Sequence, residues 1–216
     1  MIIHQIYGLF DDGKDMPVLF KTNKNLVIEW CKVNSYTYFF WDKKCCDRLI
    51  NKYPEFKEMY YSVKYPVQKV DIIRFLILHY YGGLYMDLDV FPKKDLVLED
   101  YDFAVCNTQT NRNKKYEMEV LQSCVGNPIL TEFLRYVKTQ ILEKDEIDIY
   151  DQWKCRYIYQ TTGPMSLCRF LKNKKYNELN YKVNTYNLNN PDYDGDMDLN
   201  LTGEEDFISQ ISCSYN

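Results

Sequence analysis

Residues 66–91, PVQKVDIIRFLILHYYGGLYMDLDVF, dictate a helix, a glycine corner and a strand in immediate succession. Pro66 suits a first helical turn, where its missing N–H would have no intrahelical partner. The apolar residues that follow are too dense for a surface helix, so the spacing predicts a buried one. Asp71 and Arg74 stand three residues apart inside that run and share one helix face. Gly82 and Gly83 end the helix, because a left-handed cap is open to a residue without a Cβ. Leu84 to Val90 is expected to be a short strand, with Tyr85, Asp87 and Asp89 on one face and Leu84, Met86 and Leu88 on the other. Two carboxylates at the end of an apolar strand are costly unless a cation or hydrogen-bond donors meet them. Hard divalent ions take such oxygen ligands, typically together with a substrate diphosphate. The bland reading is an Asp–Arg structural pair beside a solvated strand end. A D-x-D alone is common; joined to the helical Asp and Arg and the Gly-Gly corner it becomes specific.

With 216 residues, 46% hydrophobic and 27% charged, the chain is expected to form a single globular domain over 1–216 with a real core. A net charge of −4 and a pI near 5.3 weigh against nucleic acid as a partner. A diphosphate ligand would then need a local cation or a few Lys and Arg side chains. The 21 tyrosines suit core rims and contacts to sugars or bases, although an AT-rich coding sequence explains them equally. Eight cysteines include no C-x-x-C, and His4 and His79 are the only histidines, so a zinc site has little support. There is no basic and apolar leader at the start and no run of eighteen apolar residues, which predicts a soluble, cytoplasmic chain with reduced thiols. Oligomeric state cannot be read from the sequence.

Residues 2–7 read as a first buried strand, with Tyr7 at its end and His4 as a hydrogen-bonded core histidine. A helix from Asn23 to Asn34 with Leu26, Trp30 and Val33 inward, then a strand from Tyr36 to Trp41, suggests a parallel βαβ unit. Ligands in such sheets bind beyond the carboxyl ends of the strands, which puts Tyr7, Trp41 and Asp42 on one edge. Lys43 to Ser62 is expected to be helical, with Leu49, Ile50, Phe56 and Tyr60 as core. Tyr101 to Asn107 reads as a strand, Asn111 to Lys115 as a polar tip, and Glu119 to Val125 as a strand or extended edge. From Asn127-Pro128 to about Glu143 runs an amphipathic helix with Leu130, Phe133, Leu134, Val137 and Ile141 inward. Thr161-Thr162-Gly163-Pro164 precedes a short helix, Met165 to Leu171. Asp192, Asp194, Asp196 and Asp198 fail the EF-hand pattern, whose Gly and Glu positions they do not match, and read as a solvated acidic loop.

The central block resembles the DXD-containing glycosyltransferases of the sugar-binding-region family (glycosyltransferase family 32), with glucosylating clostridial toxins as more distant relatives. Lys69, Asp71, Arg74, Gly82, Gly83, Tyr85, Asp87 and Asp89 match its pattern, and IHQIY at the start resembles its opening strand. The resemblance implies an α/β fold of the GT-A type, Rossmann-like, with a mostly parallel central sheet flanked by helices. It implies a metal-dependent, retaining transferase that moves a sugar from a nucleotide-diphosphate donor, UDP favoured, to a glycan or protein hydroxyl, with Mn²⁺ or Mg²⁺ as cofactor. In those terms Asp89 ligates metal, Asp87 binds the ribose and metal-bound water, Asp71 accepts from sugar hydroxyls, and Arg74 contacts the sugar or its phosphate, with Lys69 nearby. Tyr7 would stack on the base, and Ser214 and Tyr215 would close over the diphosphate. The family's third metal ligand falls at Gln210, an uncharged oxygen donor, with Glu205 or Asp206 as substitutes. Its T-G-P corresponds to Thr162-Gly163-Pro164, ahead of a helix on the acceptor side.

Two other classes compete. Asp87 to Val90 also resembles the D-x-D-x-V of haloacid-dehalogenase phosphohydrolases, whose nucleophilic Asp usually follows the opening strand rather than more than eighty residues of chain. A non-catalytic sugar-nucleotide-binding module is the other, suggested by the weak ligand at Gln210.

Overall fold

The computed structural model describes residues 1–10, 15–93, 96–110, 113–145, 154–173, 182–189 and 207–209. The βαβ opening folds as its pattern predicts. Strands β1 (Ile2–Ile6) and β2 (Thr37–Trp41) pair in parallel, Ile2 opposite Thr37 and Ile6 opposite Trp41, around helix α1 (Val18–Val33). Helix α1 starts earlier than expected and buries Asn23, Val27, Trp30 and Cys31, while Leu26 and Val33 are exposed. That inward stripe keeps the 3.6-residue period but contains a polar residue, which a search for apolar positions passes over.

Lys43 to Ser62 is two helices, α2 (Lys43–Ile50) and α3 (Pro54–Ser62), because Pro54 lacks the N–H that would continue a helix and instead opens a new one. Leu49, Ile50, Phe56 and Tyr60 are all buried, as their spacing requires. Helix α4 (Pro66–Tyr81) fills the centre, with Ile72, Ile73, Phe75, Leu76, Ile77 and Leu78 fully inside. It runs through Gly82 into β3 (Gly83–Met86), which lies parallel to β1 with Leu84 opposite Ile3. Gly83 has φ +92°, and a Cβ there would sit 2.2 Å from the Ile2 carbonyl oxygen, so the approach of β1 demands glycine.

The expected strand to Val90 stops at Met86. Asp87 to Asp89 make a turn in which the Val90 N–H reaches the Asp87 carbonyl at 3.2 Å. Strand β4 (Val90–Pro92) then joins the opposite edge of the sheet, antiparallel to β8 (Phe207–Ser209). Strands β5 (Phe103–Thr110) and β6 (Asn113–Ser123) form a long antiparallel pair, with β6 seated between β3 and β5. The segment read as a strand or an extended edge is thus a strand, and a central one. Helix α5 (Pro128–Asp145) buries its predicted stripe of Leu130, Phe133, Leu134, Val137 and Ile141. Helices α6 (Lys154–Thr161) and α7 (Pro164–Lys172) and strand β7 (Asn184–Asn189) complete the elements, α6 and β7 having no clear signal in their mixed polar sequences.

Among the described residues the sheet has the order β2-β1-β3-β6-β5-β7-β8-β4. Four neighbouring pairs are parallel (β1 with β2, β1 with β3, β5 with β7, β7 with β8) and three antiparallel, so the sheet is mixed with parallel pairs in the majority. One face packs on α2 to α5 and α7, and the other on α1. Tyr85 enters the first layer and Leu84 and Met86 the second, which is the predicted alternation as far as β3 extends. No helix among the described residues is long and apolar enough to cross a membrane, and the described cysteines are unbridged.

Candidate functional site

Arg74 is the hub. It projects from the buried face of α4, is 4% exposed, and ties its own helix to β6 and to the turn after β3. Its Nη2 donates to Asp71 Oδ1 at 3.0 Å, and its Nη1 donates to the Met118 carbonyl at 2.7 Å and lies 3.4 Å from Asp87 Oδ2. The guanidinium also sits 4.8 Å from the centre of the Tyr85 ring, a cation–π placement. Asp71, 5% exposed, accepts at its other oxygen from the Thr162 hydroxyl at 2.6 Å. Burial pushes the Asp71 carboxyl above the usual range, and Arg74 and Thr162 oppose that shift.

Asp87 is tied through its backbone and through both carboxylate oxygens. Its N–H donates to the Glu119 carbonyl at 2.9 Å, and its carbonyl accepts from Gln5 Nε2 at 3.2 Å. Its Oδ1 takes a short hydrogen bond from the Tyr85 hydroxyl, and its Oδ2 faces Arg74. The side chain remains 26% exposed, so one aspect of the carboxylate is open. Gln5 is itself fixed, its Oε1 accepting from the Tyr38 hydroxyl at 3.0 Å. Asp89, two residues on in the turn, has its carboxyl raised to about 7, first by burial and then by the neighbouring Asp87 charge. A cation would relieve that conflict, and two hard carboxylate oxygens at one turn suit a divalent ion. Among the described residues no third His, Cys, Asp or Glu side chain completes a cage. The last described residue of β8, Ser209, stands opposite Val90, next in the chain to Asp89.

The structure thus brings together Asp71, Arg74, Asp87 and Asp89, but at a turn rather than along a continuous strand. Tyr7 lies just beyond β1, half-buried, with its N–H on the Trp41 carbonyl at 3.0 Å and its ring edge-on to Phe20 at 6.4 Å. Lys69 leans towards α3, its ammonium 6.0 Å from the Tyr60 ring centre. Trp41 and Asp42, grouped with Tyr7 by strand order, serve the scaffold. Asp42 caps α2 by accepting from the Cys45 N–H at 2.7 Å. Trp41 Nε1 donates to His4 Nδ1 at 3.1 Å, and His4 Nε2 donates to the Gly82 carbonyl at 2.9 Å. Burial lowers the His4 pKa to about 4, so His4 is a neutral core histidine as expected. Gln210, Ser214, Tyr215, Glu205, Asp206 and the Asp192–Asp198 loop lie outside the described residues. Gln5 carries no site role in the sequence reading, and Thr162 enters it only as part of the T-G-P motif, whereas here its hydroxyl bonds Asp71. A Gln inside an apolar strand and a paired Thr before Gly-Pro are the signals that mark them.

An α/β sheet of this order, with an Asp-Leu-Asp turn leaving the strand after a buried Asp/Arg helix, defines a GT-A type fold. Two solved structures share it: the PaToxG glycosyltransferase, with a TM-score of 0.54 and 17% identity over 83% of this chain and 73% of that one, and a glycosyltransferase involved in glycosylation of the major capsid of PBCV-1, with 0.51 and 11% over 98% and 94%.

Residues 17–113 match the family model of the glycosyltransferase sugar-binding region containing the DXD motif. A mannosyl phosphorylinositol ceramide synthase of Saccharomyces cerevisiae is 36% identical over 89 residues, 41% of this chain and 22% of the yeast protein. Inositol phosphoceramide mannosyltransferase 1 of Schizosaccharomyces pombe is 35% identical over 79 residues, 35% and 25% of the respective chains. The matched segments thus cover no more than a quarter of these relatives' length.

Proposed function

We propose that the chain is a glycosyltransferase that uses a nucleotide-diphosphate sugar, UDP-linked by preference, with a divalent cation, and transfers the sugar with retention to a hydroxyl acceptor. One observation carries this reading: a single guanidinium, Arg74, joins the helical Asp71 to Asp87 of the Asp-Leu-Asp turn, so that the carboxylates assigned to the sugar and to the metal are held together. Asp89 with Asp87 would hold Mn²⁺ or Mg²⁺, which neutralises the charge of the departing nucleoside diphosphate when bound. Gln210 follows directly on the strand that pairs with β4, which keeps it as the candidate third ligand.

The chain's own residues do the rest. Arg74 has its N–H groups on Asp71, Met118, Asp87 and Val70, so it acts as a brace that orients both carboxylates. Asp71 offers its remaining lone pairs to sugar hydroxyls. The open aspect of Asp87 suits a ribose hydroxyl, and Tyr7 supplies a ring for the base, with Ser214 and Tyr215 assigned to the diphosphate side and Lys69 kept as a nucleotide-sugar-binding residue. A glycan or protein acceptor fits this chemistry, and the names of the yeast relatives add an inositol phosphoceramide as a candidate acceptor. A phosphohydrolase is disfavoured, since a nucleophilic Asp87 would have both oxygens already engaged.

A panel of UDP- and GDP-sugars screened by thermal shift with and without Mn²⁺, followed by assay of donor turnover, tests the proposal. Stabilisation and release of the nucleoside diphosphate only with metal support it. Binding without any turnover converts it to a sugar-nucleotide-binding module, and phosphate release from simple esters without nucleotide overturns it.

A further inference from the structure

Two adjacent threonines at the corner between α6 and α7 read two residues one turn apart on α4. Thr161 Oγ1 accepts from Gln68 Nε2 at 3.1 Å and donates to the Tyr157 carbonyl at 2.8 Å. Gln68 in turn accepts from the Tyr65 N–H at 3.0 Å and so closes the start of α4. Thr162 Oγ1 donates to Asp71 Oδ2 at 2.6 Å, across 91 positions of sequence. All four side chains are buried. The corner has no slack: a Cβ on Gly163 would come within 2.9 Å of Tyr159 Cα.

We propose that Thr162 is a positioning residue for Asp71 and thereby sets how the sugar half of the donor is held; this rests on the glycosyltransferase reading above. A carboxylate turns about a broad torsion that staggered preferences do not fix. Arg74 holds Oδ1 and Thr162 holds Oδ2, so the plane of the Asp71 carboxylate is pinned at both ends. Each oxygen keeps a second lone pair aimed in a defined direction for a sugar hydroxyl. Docking the corner onto α4 is already the work of the Thr161–Gln68 contact. The Thr162 hydroxyl is therefore spent on orientation of an acidic group, and its loss leaves a buried oxygen without a donor.

The test compares Thr162→Val, which removes the hydroxyl at constant shape, with Thr162→Ser, which keeps it. The probes are whichever of UDP-glucose, UDP-galactose and GDP-mannose the wild type turns over, and the corresponding free nucleoside diphosphate, both with Mn²⁺. Thr162→Val is expected to weaken binding of the nucleotide sugar about tenfold, the loss of one hydrogen bond, and to leave the free nucleoside diphosphate unchanged. Thr162→Ser is expected to bind both like the wild type, and Thr162→Val to add nothing in an Asp71→Ala background. Thr162→Ala supplies the same comparison should the valine variant fail to fold. Equal weakening of both probes, or of neither, overturns the positioning role while leaving the transferase reading in place. A folded wild type that neither binds nor turns over any donor in the panel overturns both.

Discussion

The Asp87 carboxylate lies 3.4 Å from the Arg74 guanidinium, a contact that joins the buried helix α4 to the turn that leaves β3. Arg74 simultaneously bonds Asp71 at 3.0 Å and the Met118 carbonyl at 2.7 Å. Replacing it with Met strands the buried Asp71 charge, and breaking a buried pair in this way costs about 3–5 kcal/mol. Arg74→Met is therefore expected to lower the melting temperature sharply. Arg74→Lys keeps the charge but cannot present the planar fork. It should fold, bind donor more weakly and turn over slowly. Differential scanning calorimetry and donor titration separate the two, and a Lys variant with wild-type turnover would remove Arg74 from the site.

Asp89→Asn addresses the cation directly. It is expected to abolish the Mn²⁺-induced rise in melting temperature and metal-dependent turnover, with little change in the metal-free melting temperature at and below pH 3.8, where the carboxyl is largely protonated in the folded and unfolded chain alike. EDTA should inactivate the wild type, and Mn²⁺ should restore it. Undiminished turnover in the Asn variant would sink the assignment of Asp89.

The same carboxylate sets a pH dependence. Its folded-state pKa is raised from 3.8 to about 7, so between those values the folded chain keeps a proton that the unfolded chain releases. Its contribution to stability is full below the lower value and is lost as the pH climbs through about 7. Comparing metal-free wild type with Asp89→Asn from pH 4 to 8 should show the wild type losing stability relative to the variant across that window. Mn²⁺ competes with the proton, so its stabilising effect on the wild type should grow over the same range. A pH-independent difference between the two proteins would show that Asp89 ionises normally.

Tyr7 is half-buried at the carboxyl end of β1 with its ring edge-on to Phe20. Stacking of a base on an aromatic ring contributes about 1–3 kcal/mol. Tyr7→Ala is expected to raise the donor KM about tenfold or more within that range, with a smaller change in kcat. A loss confined to kcat would place Tyr7 elsewhere in the reaction.

Gly83→Ala tests the corner itself. The added methyl would meet the Ile2 carbonyl oxygen at 2.2 Å in a backbone with φ +92°, so β1 and β3 would have to separate. Destabilisation of more than about 3 kcal/mol is expected, in the range reserved for strained backbone and overpacked cores. Chemical denaturation measures it, and a near-neutral result would mean that the two strands approach less closely than the structure shows.

Local pattern was enough for much of this. The density of apolar residues from Ile72 to Leu78, the glycine corner, the α5 stripe and the parallel pairing of β1 with β2 all follow from periodicity and turn chemistry, which act over a few residues. The grouping of Asp71 and Arg74 follows likewise from helical spacing alone. What no local rule contains is where distant segments land. The Asp87–Asp89 pair sits at a turn because β4 departs for the opposite edge of the sheet to pair with β8, a partner more than a hundred residues away. Glu119 to Ser123 is central because β6 inserts between β3 and β5, and Thr162 meets Asp71 because α6 and α7 fold back over α4. Hydrophobic periodicity reports which face of an element is buried; only packing of the whole chain decides which polar group waits on the other side of that burial.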